Sequence, residues 1–438
     1  MISCKALLFL LRHIPENHKQ LVIPCTLVLN SCLRRSIIPT KLTEGANSGS
    51  TFYYGGVTLR KFMLLATTLL TVQVMATSPF LANFEKKDVD IKSMGTLAFG
   101  PEGILLVGDS IGASIYAFDL GDRTPAKLEE PQRIADLEEQ LGSLLGAPAA
   151  DVLVHSMAVN PISMNTYFSV SRGRANWKSA WELPNDISNA DILVKLTPAG
   201  VFSEVSIKAL SHSKVDLPNP ISTEAKHEWK QTSPRSDVIS DMNYQKGRLF
   251  VAGLSNEEFS STLRILDFPF KGSGNATGVE IYHGAHGKYE TKSPVRAFLP
   301  YVADGKDHIL AAYLCTPLAV FDVDELLAGK KVRGRTVAEL GSGNFPTGMV
   351  RFSKEGKDYV LVSHSNRNLM VFDMDRVVSW KEEITEKQTK PTGLLGTPIS
   401  GTGIRMMDSL SNDFIQMIAR SPNGKLELFA YPTRRLAR

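Results

Sequence analysis

The chain is poor in cysteine, and three of its four lie early. Cys4, Cys25 and Cys32 fall within the first 62 residues, which leaves Cys315 alone in the body. A body with one thiol cannot close an intrachain disulfide, so an apolar core has to hold it, and no redox compartment is demanded. Several catalytic fingerprints are also missing: the Gly-x-Ser-x-Gly elbow, a Walker loop, Gly-x-Gly-x-x-Gly and a His-Glu-x-x-His helix. Their absence disfavours the hydrolases, nucleotide-binding enzymes and zinc proteases built on them. No Cys-x-x-Cys-His haem site is present, and no paired cysteines of the kind some quinoproteins set against their cofactor. The net charge of +4 is misleading. Residues 1–62 carry eight Lys/Arg and two Asp/Glu, so the remainder is close to neutral. A neutral body gives no electrostatic case for nucleic acid.

What is present begins with a leader unlike the rest. Residues 1–56 combine apolar patches (Ala6 to Leu11, Leu21 to Leu29) with scattered basic residues and almost no acids. Residues 57–76 read as a signal peptide. Arg60 and Lys61 form its charged start, Met63 to Val74 its apolar run, and Val74-Met75-Ala76 its cleavage site. The apolar run is shorter than the roughly 20 residues a membrane span needs, so the protein is expected in the periplasm or secreted, with no stable span after processing. Two explanations of residues 1–56 stand. Either translation begins near Val57, Leu59 or Met63, or the leader is an organellar transit peptide, acid-poor and bearing Arg and Ser.

From residue 83 to the end a pattern repeats: alternating strand, turn, apolar strand, polar turn, apolar strand ending in Asp or an aromatic. Six units follow it, which we number I to VI, starting at Gly95, Ser156, Ile239, Val295, Gly348 and Ile404. A fourth strand follows some of them, as at Val201 to Ile207, Gly278 to Tyr282 and Arg335 to Leu340. Unit VI lacks one, and the lone strand Glu85 to Ile91 is expected to supply it and close a ring. A helix is expected over Ile134 to Leu145. Repeating four-stranded units without helical alternation predict an all-β fold, a β-propeller of six blades. A seventh blade would have to lie degenerate in the long gap between units II and III. Paired β-sandwiches are the competing architecture, but they require no repeat.

The stretch Tyr359-Val-Leu-Val-Ser-His-Ser-Asn-Arg-Asn-Leu-Met-Val-Phe-Asp373 resembles the YVTN-type propeller repeat of secreted bacterial proteins. Ile104 to Asp119 and Phe250 to Asp267 are looser copies. That superfamily holds lactonases, quinoprotein subunits and members without known activity, so the resemblance implies a fold and not a chemistry.

In a propeller, the turns between second and third strands share one face with the blade-to-blade connections. That face is chemically the richer here, carrying Asp109, Arg172, Glu257, Glu258, Cys315, His364 and the run His283-Gly-Ala-His286-Gly-Lys-Tyr-Glu290. Loops on a rigid scaffold are where binding tends to lie. His283 and His286 are the sharpest metal candidates, with Glu290 as a carboxylate ligand to a divalent metal. The plainer reading is a pair of loop histidines bonded to backbone or solvent. His364 follows an apolar strand and either faces the channel mouth or bonds its own turn. Glu257 and Glu258 with Arg172 or Arg296 would grip a polar ligand, or else form solvated rim pairs. His155, Asp241, Arg296 and Arg405 stand at first strands, where side chains enter the channel, in a network that is structural or ligand-binding. Cys315 reads as an inert thiol, since no base neighbours it in sequence.

These observations predict a ligand- or protein-binding propeller whose partner is a small molecule or an extracytoplasmic protein. A metal-assisted, lactonase-like hydrolase on the same face is the alternative, and would need a histidine to converge with Asp109, Asp241 or Glu290 on one ion. An accessory subunit of a periplasmic redox complex is a third reading, by analogy.

Overall fold

The computed structural model describes residues 78–436, apart from 129, 173–190, 227–232, 316 and 330. The expected leader and signal peptide, and the polar insertion after Arg172, fall on residues outside those described. The described chain is all-β. Four small four-stranded sheets and one ten-stranded sheet make a propeller-like arrangement. The ten-stranded sheet contains units III and IV. Their outer strands, Asn275–His283 and Val332–Glu339, pair in parallel through Val279 with Val332 and Ile281 with Gly334. No helix among the described residues is long and apolar enough to cross a membrane.

Each unit is an antiparallel meander whose second strand is sandwiched between neighbouring sheets. That explains why the second strands are apolar runs instead of alternating ones. Ile104–Asp109 and Thr166–Ser171 are buried at every residue. Three of the hairpins that enter these strands turn on a pair of residues with positive φ: Lys246-Gly247 (50° and 79°), Asp304-Gly305 (50° and 76°) and Glu355-Gly356 (52° and 78°). Two successive left-handed residues define the type I′ turn, whose twist matches that of paired strands and which favours Gly in second place.

The order of the units around the axis differs from their order in the chain. The innermost strands meet as I, III, IV, V, VI, II and back to I. These strands are Leu97–Phe99, Asp241–Gln245, Val295–Ala303, Pro346–Lys354, Ile404–Ser409 and Leu153–Val159. Unit II therefore sits between the last unit and the first. An apolar cluster fills each of the six seams, for example Phe250, Ile281, Phe298 and Phe321 between III and IV. At about 1.5–3 kcal/mol for each fully buried large apolar side chain, these seams dominate the stability of the ring.

Closure also differs from expectation. Glu85 makes only an isolated bridge to His212, and Glu85 to Ile91 forms no strand. The outer strand of unit VI is instead Arg133–Ile134, which pairs with Leu428 and Phe429. The outer strand of unit I is His212–Asp216, reached only after the chain has built unit II. The gap between units II and III thus returns to complete unit I. Unit V takes Thr397–Ile399 as its outer strand. The expected helix is present as α1, Leu137–Leu145, capped by Asp136, whose side chain accepts the Glu139 N–H, and ended by Gly146 at φ 65°.

Candidate functional site

Where the six innermost strands face one another they enclose a cavity of about 1140 Å³. Its walls carry His155, Asp191, Asp241, Arg296, Arg405 and Asp408. Asp191 reaches it from the head of the third strand of unit II, Asp191–Leu196; the others do so because a residue on the pleat of an innermost strand points either to the seam or to the axis.

The aspartates do two things at once. Asp241 accepts the Met242 N–H at 2.9 Å and the Phe298 N–H of unit IV at 3.0 Å. Asp408 accepts the Val159 N–H of unit II at 2.7 Å and the Ser409 N–H at 2.7 Å. Asp191 of unit II accepts the Met94 N–H, just ahead of unit I, at 2.8 Å. Each carboxylate thus ties its own unit to a neighbouring one. Hydroxyls do the same elsewhere, as where Ser156 Oγ accepts the Leu97 N–H at 3.0 Å and Thr347 Oγ1 donates to Ile404 O at 2.8 Å.

Burial sets the ionisation of the three acids. It raises Asp241 to about 7, against the backbone hydrogen bonds that favour the charged form, and Asp408 adds to the rise while Arg296 opposes it. Burial likewise raises Asp408 to about 6, and Asp191 to about 6 with a contribution from Asp109. Groups that titrate this close to neutrality can donate or accept a proton to a bound molecule. Among the cations, Arg296 Nη1 lies 3.2 Å from Asp237 Oδ1, and Arg405 is exposed.

The structure does not bring the remaining expected residues to this cavity. Asp109 is fully buried and acts as a clamp, accepting the Lys92 N–H at 2.8 Å, the Ser93 N–H at 2.9 Å and the Gly112 N–H at 2.7 Å. Arg172 donates to Leu145 O at the end of α1. Glu257 and Glu258 are exposed, and Glu258 pairs with Lys331. They do not meet Arg172 or Arg296 because their turn opens to solvent. His364 is 1% exposed and bonds the Asn368 carbonyl at 3.2 Å through Nδ1, so it belongs to its own turn and not to a channel mouth. Burial pushes its imidazole below the ordinary value.

His283, His286 and Glu290 do come together, at the seam between units III and IV. After the outer strand ending at His283, a tight turn sends Lys288–Glu290 back to pair with it. Glu290 then bridges the two rings, with Oε2 2.7 Å from His283 Nδ1 and Oε1 2.7 Å from His286 Nδ1. Burial alone would raise this carboxyl, but the two imidazole bonds outweigh it and hold Glu290 down at about 2. The ring centroids are 3.9 Å apart. Cys315, in the turn between the second and third strands of unit IV, completes a group whose candidate ligand atoms all lie within 4.8 Å of one another. Glu339 backs the same loop, its Oε1 accepting the Gly284 N–H at 2.5 Å.

Sequence reasoning missed Asp191 and Asp408 in the cavity, and Cys315 beside the histidines. An acid inside an otherwise apolar first strand, as in Met406-Met407-Asp408, was the available signal for one of them. The sequence puts Cys315 on the same face as the His283 connection, but nothing local shows that the two turns meet.

No family model matches the chain, and no curated protein matches it in sequence. Among solved structures, a chain of the mitotic checkpoint complex is similar at 8% identity and a TM-score of 0.30, over 83% of this chain and 98% of that one. The dihydro-heme d1 dehydrogenase NirN is similar at 11% identity and a TM-score of 0.31, over 78% of this chain and 55% of that one. Likenesses this distant carry no functional argument, and the fold is read from this chain's own strand pairing.

Proposed function

We propose that the protein is a six-bladed propeller, counting units III and IV as separate blades, and that it binds a small polar molecule in its axial cavity. One observation carries the reading: a cavity of about 1140 Å³ whose wall combines acids raised to about 6 and 7 with two arginines. Its size suits a small ligand, and a few convergent polar groups in such a space set orientation and specificity. Asp241 and Asp408 offer oxygens that switch between donor and acceptor near neutral pH. Arg405 and Arg296 offer planar donors to a carboxylate or phosphate on the ligand. On the basis of residues 57–76 we place this activity outside the cytoplasm.

A thermal-shift screen of small polar metabolites at pH 6 and pH 8 tests the proposal. Arg405 is the group to remove, because it is exposed and its loss should leave the fold intact. Hits should bind Arg405→Ala at least about tenfold more weakly, the cost of one charge-assisted bond. Hits that bind Arg405→Ala and Asp241→Asn as tightly as the wild type would place the ligand elsewhere and end this reading.

A further inference from the structure

The seam between units III and IV holds a second site, away from the axial cavity. We propose that His283, His286 and Cys315 hold a borderline-soft divalent cation of the Zn²⁺ type, with Glu290 orienting both imidazoles from behind. The sequence suggested Glu290 as a ligand, but the geometry gives it a different role. Its two oxygens are each 2.7 Å from an Nδ1, so each ring donates its Nδ1 proton to the carboxylate. That fixes both tautomers and leaves Nε2 as the free lone pair on each ring, the arrangement of a carboxylate–histidine–metal triad.

An orphaned atom points the same way. His283 is 1% exposed, and its Nε2 is buried without a hydrogen-bond partner among the described residues. Leaving a buried imidazole nitrogen unsatisfied is costly, and a bound ion would recover that cost. One nitrogen of each ring and the Cys315 sulfur lie within 4.8 Å of one another. A tetrahedral zinc with bonds of 2.0–2.3 Å wants ligand atoms about 3.3–3.8 Å apart, so closure asks for roughly 1 Å of movement. His286 is 44% exposed on its side chain and Cys315 sits in a turn, so that movement is available. Two imidazoles and a thiolate select zinc or a related ion over Mg²⁺ or Ca²⁺, which prefer oxygen. Three protein donors leave a fourth position for water or a ligand. The ion would also cross-link two units, since the histidines belong to III and the thiol to IV.

Cobalt substitution on the full-length, reduced, metal-free chain tests this. About one equivalent of Co²⁺ should survive desalting, with a near-ultraviolet sulfur-to-cobalt charge-transfer band that Zn²⁺ abolishes. Cys315→Ser should lose the band, and His283→Gln should lose retention of the metal. Glu290→Gln should keep the band while binding about 10–100-fold more weakly, as for a ligand-orienting carboxylate. Circular dichroism checks that each variant folds. If one does not, the wild type still decides: Zn²⁺ should slow alkylation of Cys315, located by peptide mass spectrometry, and leave Cys4, Cys25 and Cys32 unchanged. The assignment is overturned by substoichiometric retention, by a band that persists in Cys315→Ser, or by alkylation of Cys315 at the same rate with and without Zn²⁺.

Discussion

Asp241 shows how one side chain can serve both the scaffold and the cavity. Its carboxyl joins units III and IV through the Phe298 N–H, yet burial raises it to about 7, above the ordinary carboxylate range near 4. Between those values the folded protein keeps a proton that the unfolded chain releases. Stability from this group is therefore greatest at low pH, falls as pH rises through that window, and is at its minimum above 7. Asp241→Asn cannot ionise. Its unfolding free energy should drop less between pH 5 and pH 8 than that of the wild type, by about 1 kcal/mol once solvent screening in the cavity is allowed for. Urea unfolding at the two pH values measures the difference, and parallel behaviour of the two proteins would show that the carboxyl is not raised. At this scale the sequence was partly legible. Asp241, Arg296, Arg405 and His155 could be placed at the axis because strand position dictates direction. Glu257, Glu258 and His364 could not be excluded from a site, because whether a turn opens to solvent or folds under is decided by contacts distant in sequence.

The hairpins were legible at the scale of elements, because a charged residue followed by glycine between apolar runs encodes its own turn. The outer strands were not. Arg133–Ile134 and Thr397–Ile399 are too short and too exposed to carry a period-two pattern, and only their pairing partners make them strands. A loop residue can be equally silent. Asp122 stands in a polar stretch after unit I, yet it accepts hydrogen bonds from Asn160 Nδ2 at 3.0 Å, Ser163 Oγ at 2.7 Å, Asn165 Nδ2 at 2.9 Å and Tyr167 Oη at 2.8 Å. It thereby fastens the first hairpin of unit II to the end of unit I. Burial opposes its charge, but these four bonds outweigh burial and lower its pKa. Its contribution is therefore present above the ordinary carboxylate range and lost as pH falls through the lowered value. Asp122→Ala should cost about 2–4 kcal/mol at pH 7, where four donors lose a charged partner. The cost should shrink toward pH 3, and a denaturant midpoint that does not move at pH 7 would make the network dispensable.

For the whole molecule, the order of units around the axis has one segment of the early chain complete the outer edge of the last unit. Residues 133–145 add the outer strand to unit VI, and α1 then packs Leu137, Leu141 and Leu145 among Ile418, Leu426 and Leu428 of unit VI and Val154, Phe168 and Val194 of unit II. Polar ties accompany the packing: Glu138 accepts the Leu426 N–H at 3.1 Å, and Arg133 pairs with Glu427 at 2.9 Å. None of this could be read locally, because the partners are nearly 300 residues apart and no repeat unit contains the segment. Closing so long a loop is entropically costly, though only logarithmically so, and the buried leucines repay it. Leu141 is fully buried at the centre of that contact. Leu141→Ala should destabilise the protein by about 2–5 kcal/mol through the cavity it leaves. The loss should be unevenly distributed. Hydrogen exchange should accelerate in Phe414–Arg420, Leu426–Pro432 and Leu153–Val159, which flank the seam, before it does so in Lys306–Tyr313 across the ring. Uniform acceleration around all six units would mean that the ring opens as a single cooperative body and that this segment is no weaker a closure than the other seams.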